Sequence, residues 1–243
     1  MFKWLTSGDG EGLREVEELF LRMLADDRHV FDLAMAARLG GADPASLRAE
    51  LDRSEEATDE AERLIRRRLL VHASVRGSAD IPACLMYMSL AKDAERVADL
   101  SKNMFGVGAI AGPPPPGEIR DELVELRDTV SPMITEAGTI FAADDTEAAR
   151  DFIVRARELQ RRCQRRIDWL VREEHEVPQP AATVLTYRHI GRILANLINI
   201  VSAVVMPLDQ MDYPKPEKGG GLDEDERRDT PDEGGGPAEP DAL

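Results

Sequence analysis

Apolar residues recur with the period of an α-helix along almost the whole chain, from Val16 to Met206, and this pattern constrains the fold more than any other feature. The composition agrees with it, because only 5% of residues are aromatic while Ala, Leu, Arg and Glu are abundant. These residue types lose little side-chain freedom in a helix. The sequence therefore predicts an all-α protein and argues against an all-β sandwich.

The periodic pattern divides into six segments, each bounded by a residue type that begins or ends a helix. Asp43-Pro44 places proline at the first helical position, where its missing N–H is harmless, and Gly40 and Gly77 end the helices that precede them. The predicted helices run approximately over residues 16–40, 44–76, 82–105, 118–141, 146–174 and 179–206.

A stretch rich in glycine and proline separates the first three helices from the last three. Residues 106–117 include four consecutive prolines, Pro113 to Pro116, which favour extended polyproline geometry. The sequence thus predicts two tandem antiparallel three-helix bundles in a pseudo-repeat, at residues 10–105 and 118–207, joined by the 106–117 linker. Each amphipathic helix then finds partners within its own triplet.

The net charge of −16 is unevenly distributed along the chain. Residues 208–243 hold 12 acidic and 4 basic side chains, with almost no apolar ones after Tyr213, so half of the net charge lies there. Such a segment cannot bury enough apolar area to offset its ordering entropy, and we expect a disordered acidic tail. The acidic total also argues against direct binding of nucleic acid, which requires clustered Lys and Arg.

The sequence shows no sign of export or of membrane insertion. Residues 1–6 are too short for the apolar core of a signal peptide, and the longest apolar run, Ile193 to Met206, is too short to span a bilayer. Cys84 and Cys163 lack metal-binding spacing and are expected to pack as small apolar residues. These features favour a cytoplasmic protein.

Pairs of acidic residues at four-residue spacing lie on two consecutive predicted helices. Glu55 and Asp59, followed by Glu62, share a face of the second helix, and Glu95 and Asp99 share a face of the third. If the two faces met, their oxygens would suit Mg, Mn, Fe or Zn. The alternative is that these acids are solvated and paired with nearby arginines.

The string Lys92-Asp93-Ala94-Glu95-Arg96-Val97-Ala98-Asp99, followed by Asn103, resembles the signature of the PhoU family of phosphate-uptake regulators. The acidic pair Glu55 and Asp59 is similar to the companion motif of that family, and the resemblance extends from about Val16 to Met206. It implies six helices in two bundles, a homodimer, and metal held by Glu55, Asp59, Glu95 and Asp99. Glu62, one turn beyond Asp59, is a further candidate ligand, and Arg96 and Asn103 would hold the ligand carboxylates in place.

The resemblance also implies a function. Family members link a phosphate transporter to a sensor histidine kinase and damp the phosphate-starvation response, so the partners would be one or both of these proteins and any membrane contact would be made through them. The alternative is a metal-free helical interaction module or an accessory protein of a phosphate transporter. The hypothesis of a DNA-binding regulator has less support, because no recognition-helix motif is present.

The second half departs from the family pattern because arginines stand where acids are expected. Arg188 and Arg192 on the sixth helix, and Arg161 and Arg165 on the fifth, would repel a divalent cation. We therefore expect metal in the first bundle only. The fifth helix also carries Arg155, Arg157, Arg162 and Arg166. With Arg161 and Arg165, these arginines either pair with Glu147, Asp151, Glu158 and Asp168 or form a surface for an anion or an acidic partner, for which the acidic tail could compete.

Enzymatic chemistry has no support in the sequence. The four histidines are scattered, no glycine-rich phosphate loop follows a strand, and no nucleophile lies near a base and an orienting acid. We therefore predict that the protein is not an enzyme.

Overall fold

The computed structural model describes residues 11–172 and 177–206, and these form six long helices joined by short connections. The predicted acidic tail and the predicted end of the fifth helix at Glu174 lie outside the described residues. The helices are α1 (Glu11–Leu39), α2 (Pro44–Arg76), α3 (Ile81–Ala111), α4 (Glu118–Ala143), α5 (Thr146–Arg172) and α6 (Pro180–Val205), with a 3₁₀ turn at Gly77–Asp80. The all-α prediction and its six helices are confirmed.

The helices pack as two triplets that share one hydrophobic core. Helices α1, α2 and α3 contact one another, as do α4, α5 and α6, and the triplets meet through α1 against α4 and α3 against α6. An edge-to-face aromatic cluster crosses this junction, with the rings of Phe20 and Tyr87 each 5.6 Å from that of Phe141. No helix in the described ranges is long and apolar enough to cross a membrane.

Helix α3 continues six residues beyond the predicted end at Phe105, so Gly106 and Gly108 are helical. The reason is a close crossing with α1: a Cβ atom on Gly108 would lie 2.8 Å from the backbone nitrogen of Arg38. The packing gained there offsets the low helix propensity of glycine. Helix α3 ends at Ala111 and is followed by Gly112, whose φ of 66° suits a residue without a side chain.

Arg38 is fully buried where the C-terminal ends of α1 and α3 meet the start of α6. Its guanidinium donates to the carbonyl oxygen of Gly112 at 2.7 Å, to Gln179 Oε1 at 3.1 Å and to Thr186 Oγ1 at 3.1 Å, with a longer contact of 3.5 Å to Thr183 Oγ1. All four acceptors are neutral, and burial lowers the pKa of Arg38. This side chain joins the two triplets through hydrogen bonds.

Candidate functional site

The five predicted ligand carboxylates lie on α2 and α3, and each has a nearby cation or amide. Glu55 on α2 accepts a hydrogen bond from Lys102 on α3, which shows that the acidic face of α2 is turned toward α3. Within single helices, Lys92 Nζ lies 2.5 Å from Glu95 and Arg66 lies 2.7 Å from Glu62. The two remaining acids have longer contacts, Arg63 to Asp59 at 3.5 Å and Asn103 to Asp99 at 3.4 Å.

These contacts do not form a metal centre. Across the described part of the chain, no group of three or more Asp, Glu, His or Cys side chains could hold an ion. A cation would have to displace Lys102 from Glu55 and Lys92 from Glu95, and the other three acids are not gathered around a common point. Metal binding would therefore require these side chains to rearrange, and the metal site remains a prediction from the sequence.

Asp27 is a buried acid in the same bundle that sequence reasoning missed. Its Oδ1 accepts a hydrogen bond from Thr58 Oγ1 at 3.1 Å, while Oδ2 has no hydrogen-bond partner among the described residues. Burial, helped by the charges of Asp26 and Glu95, holds the pKa of Asp27 well above its usual range. A carboxyl in this state is protonated over a wider pH range and is a poor ligand for a hard cation.

The signature string on α3 also faces α6. Asn199 donates to Asp93 Oδ1 at 3.3 Å, and Asp93 is almost fully buried. On α6, burial lowers the pKa of His189, and the charges of Arg192 and Arg188 lower it further. The negative charge of Asp99 on α3 opposes this shift. The string therefore connects the first triplet to the helix on which the second triplet carries arginines.

A cleft of about 520 Å³ opens between α5 and α6 beside this string. Four arginines line it, and they come from three different helices: Arg96 from α3, Arg161 from α5, and Arg188 and Arg192 from α6. Four amide side chains and several small or apolar groups complete the lining; the amides are Gln160, Gln164, Asn196 and Asn199. None of the described lining residues is Asp or Glu. We call this site the arginine cleft.

The four guanidiniums of the arginine cleft differ in their partners. Arg161 lies 3.0 Å from Glu158, and Arg96 lies 3.8 Å from Asp93. Neither Arg188 nor Arg192 forms an ion pair within 4 Å with any acid in the described ranges. Because Arg188 and Arg192 are four residues apart, they share one face of α6.

The remaining arginines of α5 bind mainly acids of α4 rather than the four acids proposed from the sequence. Arg155 pairs with Glu136, Arg162 with Glu125, and Arg166 with Glu118. Of the proposed acids, Glu158 pairs with Arg161 and Arg165, whereas Asp168 accepts a hydrogen bond from Gln164. The arginines named here are therefore ion-paired, as the first alternative from the sequence predicts, but most of their partners are acids of α4.

Glu122 of α4 is the centre of the buried polar network beneath the arginine cleft. It accepts hydrogen bonds from Tyr187 Oη at 2.7 Å, Arg162 Nε at 2.8 Å and Arg166 Nε at 2.7 Å. Burial alone would raise the pKa of Glu122, but these hydrogen bonds and the two guanidinium charges outweigh it and lower the pKa. The network ties α4, α5 and α6 together and fixes Tyr187 as part of the cleft wall.

Sequence reasoning missed Arg38, Glu122 and the position of Arg96. A signal existed for Arg38, because it follows Phe31, Ala34 and Met35 at helical spacing on an apolar stripe. No local pattern distinguished Glu122 from the other acids of α4. Arg96 was expected to support metal ligands, and sequence reasoning gave no sign that it also lines the arginine cleft.

Comparisons with known proteins agree with the resemblance drawn from the motif. The family model for the PhoU domain matches residues 20–106, which contain α2, most of α1 and most of α3. The crystal structure of PhoU from Pseudomonas aeruginosa is similar to this chain, with a TM-score of 0.71 and 21% sequence identity over 80% of this chain and 95% of that chain. A search of curated proteins finds no match.

Proposed function

We propose that this chain, whose residues 20–106 match the family model for the PhoU domain, is a PhoU-family protein that regulates phosphate uptake and phosphate-starvation signalling. One observation carries the proposal: the signature string of that domain lies on α3, the helix that contacts both α1 and α2 of its own triplet and α6 of the other. The protein acts by binding partners and not by catalysis.

The partners in this proposal are a phosphate transporter, a phosphate-responsive sensor histidine kinase, or both. The protein is a cytoplasmic homodimer that reaches the membrane through those partners only. The family resemblance and the domain match support these points.

The regulatory role is tested by deleting the gene in its source organism and measuring a phosphate-starvation reporter in phosphate-rich medium. We expect the reporter to be switched on in the deletion strain and switched off again by the wild-type gene. A reporter that stays off in the deletion strain contradicts the proposal. A two-hybrid assay against the organism's own phosphate-transporter ATPase and sensor kinase then identifies the partner, with an unrelated transporter ATPase as the control.

Metal binding by the first triplet is a separate part of the proposal, supported by the spacing of Glu55, Asp59, Glu62, Glu95 and Asp99. Elemental analysis of protein purified without chelator should find at least one cation per chain, lost on Glu95→Ala with Asp99→Ala. The matched control is Glu56→Ala with Glu60→Ala, an exposed pair of acids at the same spacing on α2. Metal retained equally by both variants would refute this assignment.

A metal-free helical interaction module is the second candidate. It is favoured by the contacts of Lys102 with Glu55 and of Lys92 with Glu95, which neutralise two of the proposed ligands without a metal. A chelator distinguishes the candidates, since it lowers the melting temperature only if a bound cation stabilises the fold.

A further inference from the structure

The arginine cleft has the charge and the geometry of an anion site. Four arginines from α3, α5 and α6 line it, and no described acid does. Like charges placed together in this way repel one another, and a bound anion would relieve that repulsion. The volume of about 520 Å³ falls within the range of small-molecule pockets.

The donors of the cleft suit phosphoryl oxygens. A guanidinium presents a planar fork of N–H groups that matches two oxygens of a phosphate, and Arg188 and Arg192 have this fork free of ion pairs within the described ranges. Amides at Gln160, Asn196 and Asn199 add neutral donors around the same space. Each also donates one hydrogen bond within the protein, Gln160 and Asn196 to backbone carbonyls of α6 and Asn199 to Asp93.

The two paired arginines can also contribute. Arg161 and Glu158 are both more than half exposed, and the 3.8 Å separation of Arg96 from Asp93 is long. The exposed pair of Arg161 with Glu158 contributes little to stability, so an anion can replace that carboxylate at small cost. Arg96 keeps its long contact with the buried Asp93 and adds its charge to the cleft.

We propose that the arginine cleft binds the phosphoryl group of a small phosphorylated anion, either free phosphate or a phosphate ester or anhydride. Arg188 and Arg192 of α6 bind the phosphoryl oxygens, and Arg96 of α3 and Arg161 of α5 add positive charge from the other two helices that line the cleft. Because Arg96 belongs to the signature string on α3, the ligand contacts both triplets at once. This inference does not depend on the proposed function, which concerns protein partners.

Isothermal titration of the full chain with inorganic phosphate, pyrophosphate and ATP tests the proposal and identifies the source of the phosphoryl group. We expect binding of at least one of the three, and at least tenfold weaker binding by Arg188→Ala with Arg192→Ala. Substitution of both residues by lysine keeps the charge but removes the planar fork, and should give an intermediate affinity. The matched control is Arg53→Ala with Arg150→Ala, which removes two exposed arginines outside the cleft and should bind like wild type.

Three results would overturn the proposal: no binding of any of the three anions by the wild-type chain, equal binding by the double alanine variant, or an equal loss in the control variant. A glutamate-rich peptide serves as a further probe. If this peptide binds through Arg188 and Arg192 while none of the three anions binds, the proposal is overturned and the cleft recognises an acidic segment. Circular dichroism melts of all variants confirm that the helices are intact. The reporter assay of the regulatory role is independent of each of these outcomes.

Discussion

At the scale of single residues, the buried charges differ in how they are compensated. Glu122 is surrounded by two guanidiniums and a phenol hydroxyl, whereas Arg38 is held by neutral oxygens alone. Both tie together helices that are distant in sequence, so the protein uses polar contacts as well as its apolar core to fix the arrangement of its helices. We expect the removal of either side chain to lower the free energy of unfolding by a measurable amount.

Arg38→Ala is expected to lower the free energy of unfolding by about 3 kcal/mol, because it leaves buried acceptors unsatisfied and opens a cavity. Urea denaturation followed by circular dichroism measures the change. Arg53→Ala is the control, since Arg53 is exposed and its loss should change stability by no more than about 0.5 kcal/mol. Equal effects of the two substitutions would show that the hydrogen bonds of Arg38 do not stabilise the fold.

Glu122→Gln is expected to destabilise the protein by about 2 kcal/mol at pH 7, because it removes charged hydrogen bonds with Arg162 and Arg166. The folded-state pKa of Glu122 is lowered, so its contribution is complete above the usual value of 4.5 and is lost as the pH falls through the lowered value. The difference between wild type and variant should therefore shrink in urea melts below pH 4.5. A difference that does not depend on pH would contradict this assignment; Glu125→Gln, which removes an exposed partner of Arg162, should cost less.

At the scale of helices, the close crossing of α1 and α3 depends on one glycine. A Cβ atom at Gly108 would meet backbone atoms of Ala37 and Arg38 at 2.8 to 3.0 Å, and backbone cannot move aside as a flexible side chain can. Gly106, on the same helix, has no such neighbour within 4 Å. The two glycines thus form a matched pair: both lie within α3, but only Gly108 lies at the crossing with α1.

Gly108→Ala is expected to destabilise the protein by about 1–3 kcal/mol, because the two helices must separate. Gly106→Ala should instead stabilise it by about 0.5–1 kcal/mol, because alanine restricts the unfolded chain and favours the helix. Thermal melts of both variants test the difference in sign. The crossing would be shown not to require glycine if Gly108→Ala were as stable as Gly106→Ala.

At the scale of the whole molecule, the two triplets share a core, an aromatic cluster and the Arg38 hydrogen bonds. The described helices belong to one compact unit. We therefore expect the triplets to unfold together rather than one after the other.

This expectation is tested in a Trp4→Phe variant, in which Trp169 on α5 becomes the single tryptophan and reports on the second triplet. Its fluorescence and the far-UV circular dichroism should follow the same transition in urea. A fluorescence midpoint clearly below the circular dichroism midpoint would show that the triplets unfold separately.

The fold could be predicted from the sequence in most respects, but the candidate site could not. Helix number and order follow from periodicity and from prolines and glycines, which act locally. The end of α3 was placed too early, because the packing that keeps Gly108 helical involves Arg38, seventy residues away. The acids at Glu55 and Glu95 were correctly placed on neighbouring helices, but their lysine partners depend on how the helices are rotated against each other.

The sequence by itself determined the six helices, their grouping into two triplets and the concentration of arginines on the fifth and sixth helices, since each follows from residue type and spacing along one helix. Only the tertiary structure decided that Arg96, Arg161, Arg188 and Arg192 line one cleft and that Glu122 lies buried beneath it. The physical reason is that the apolar stripes on α3, α5 and α6 determine which faces are buried against each other. The polar side chains at the edges of those faces are brought together as a result, and no pattern along a single helix encodes which of them will meet.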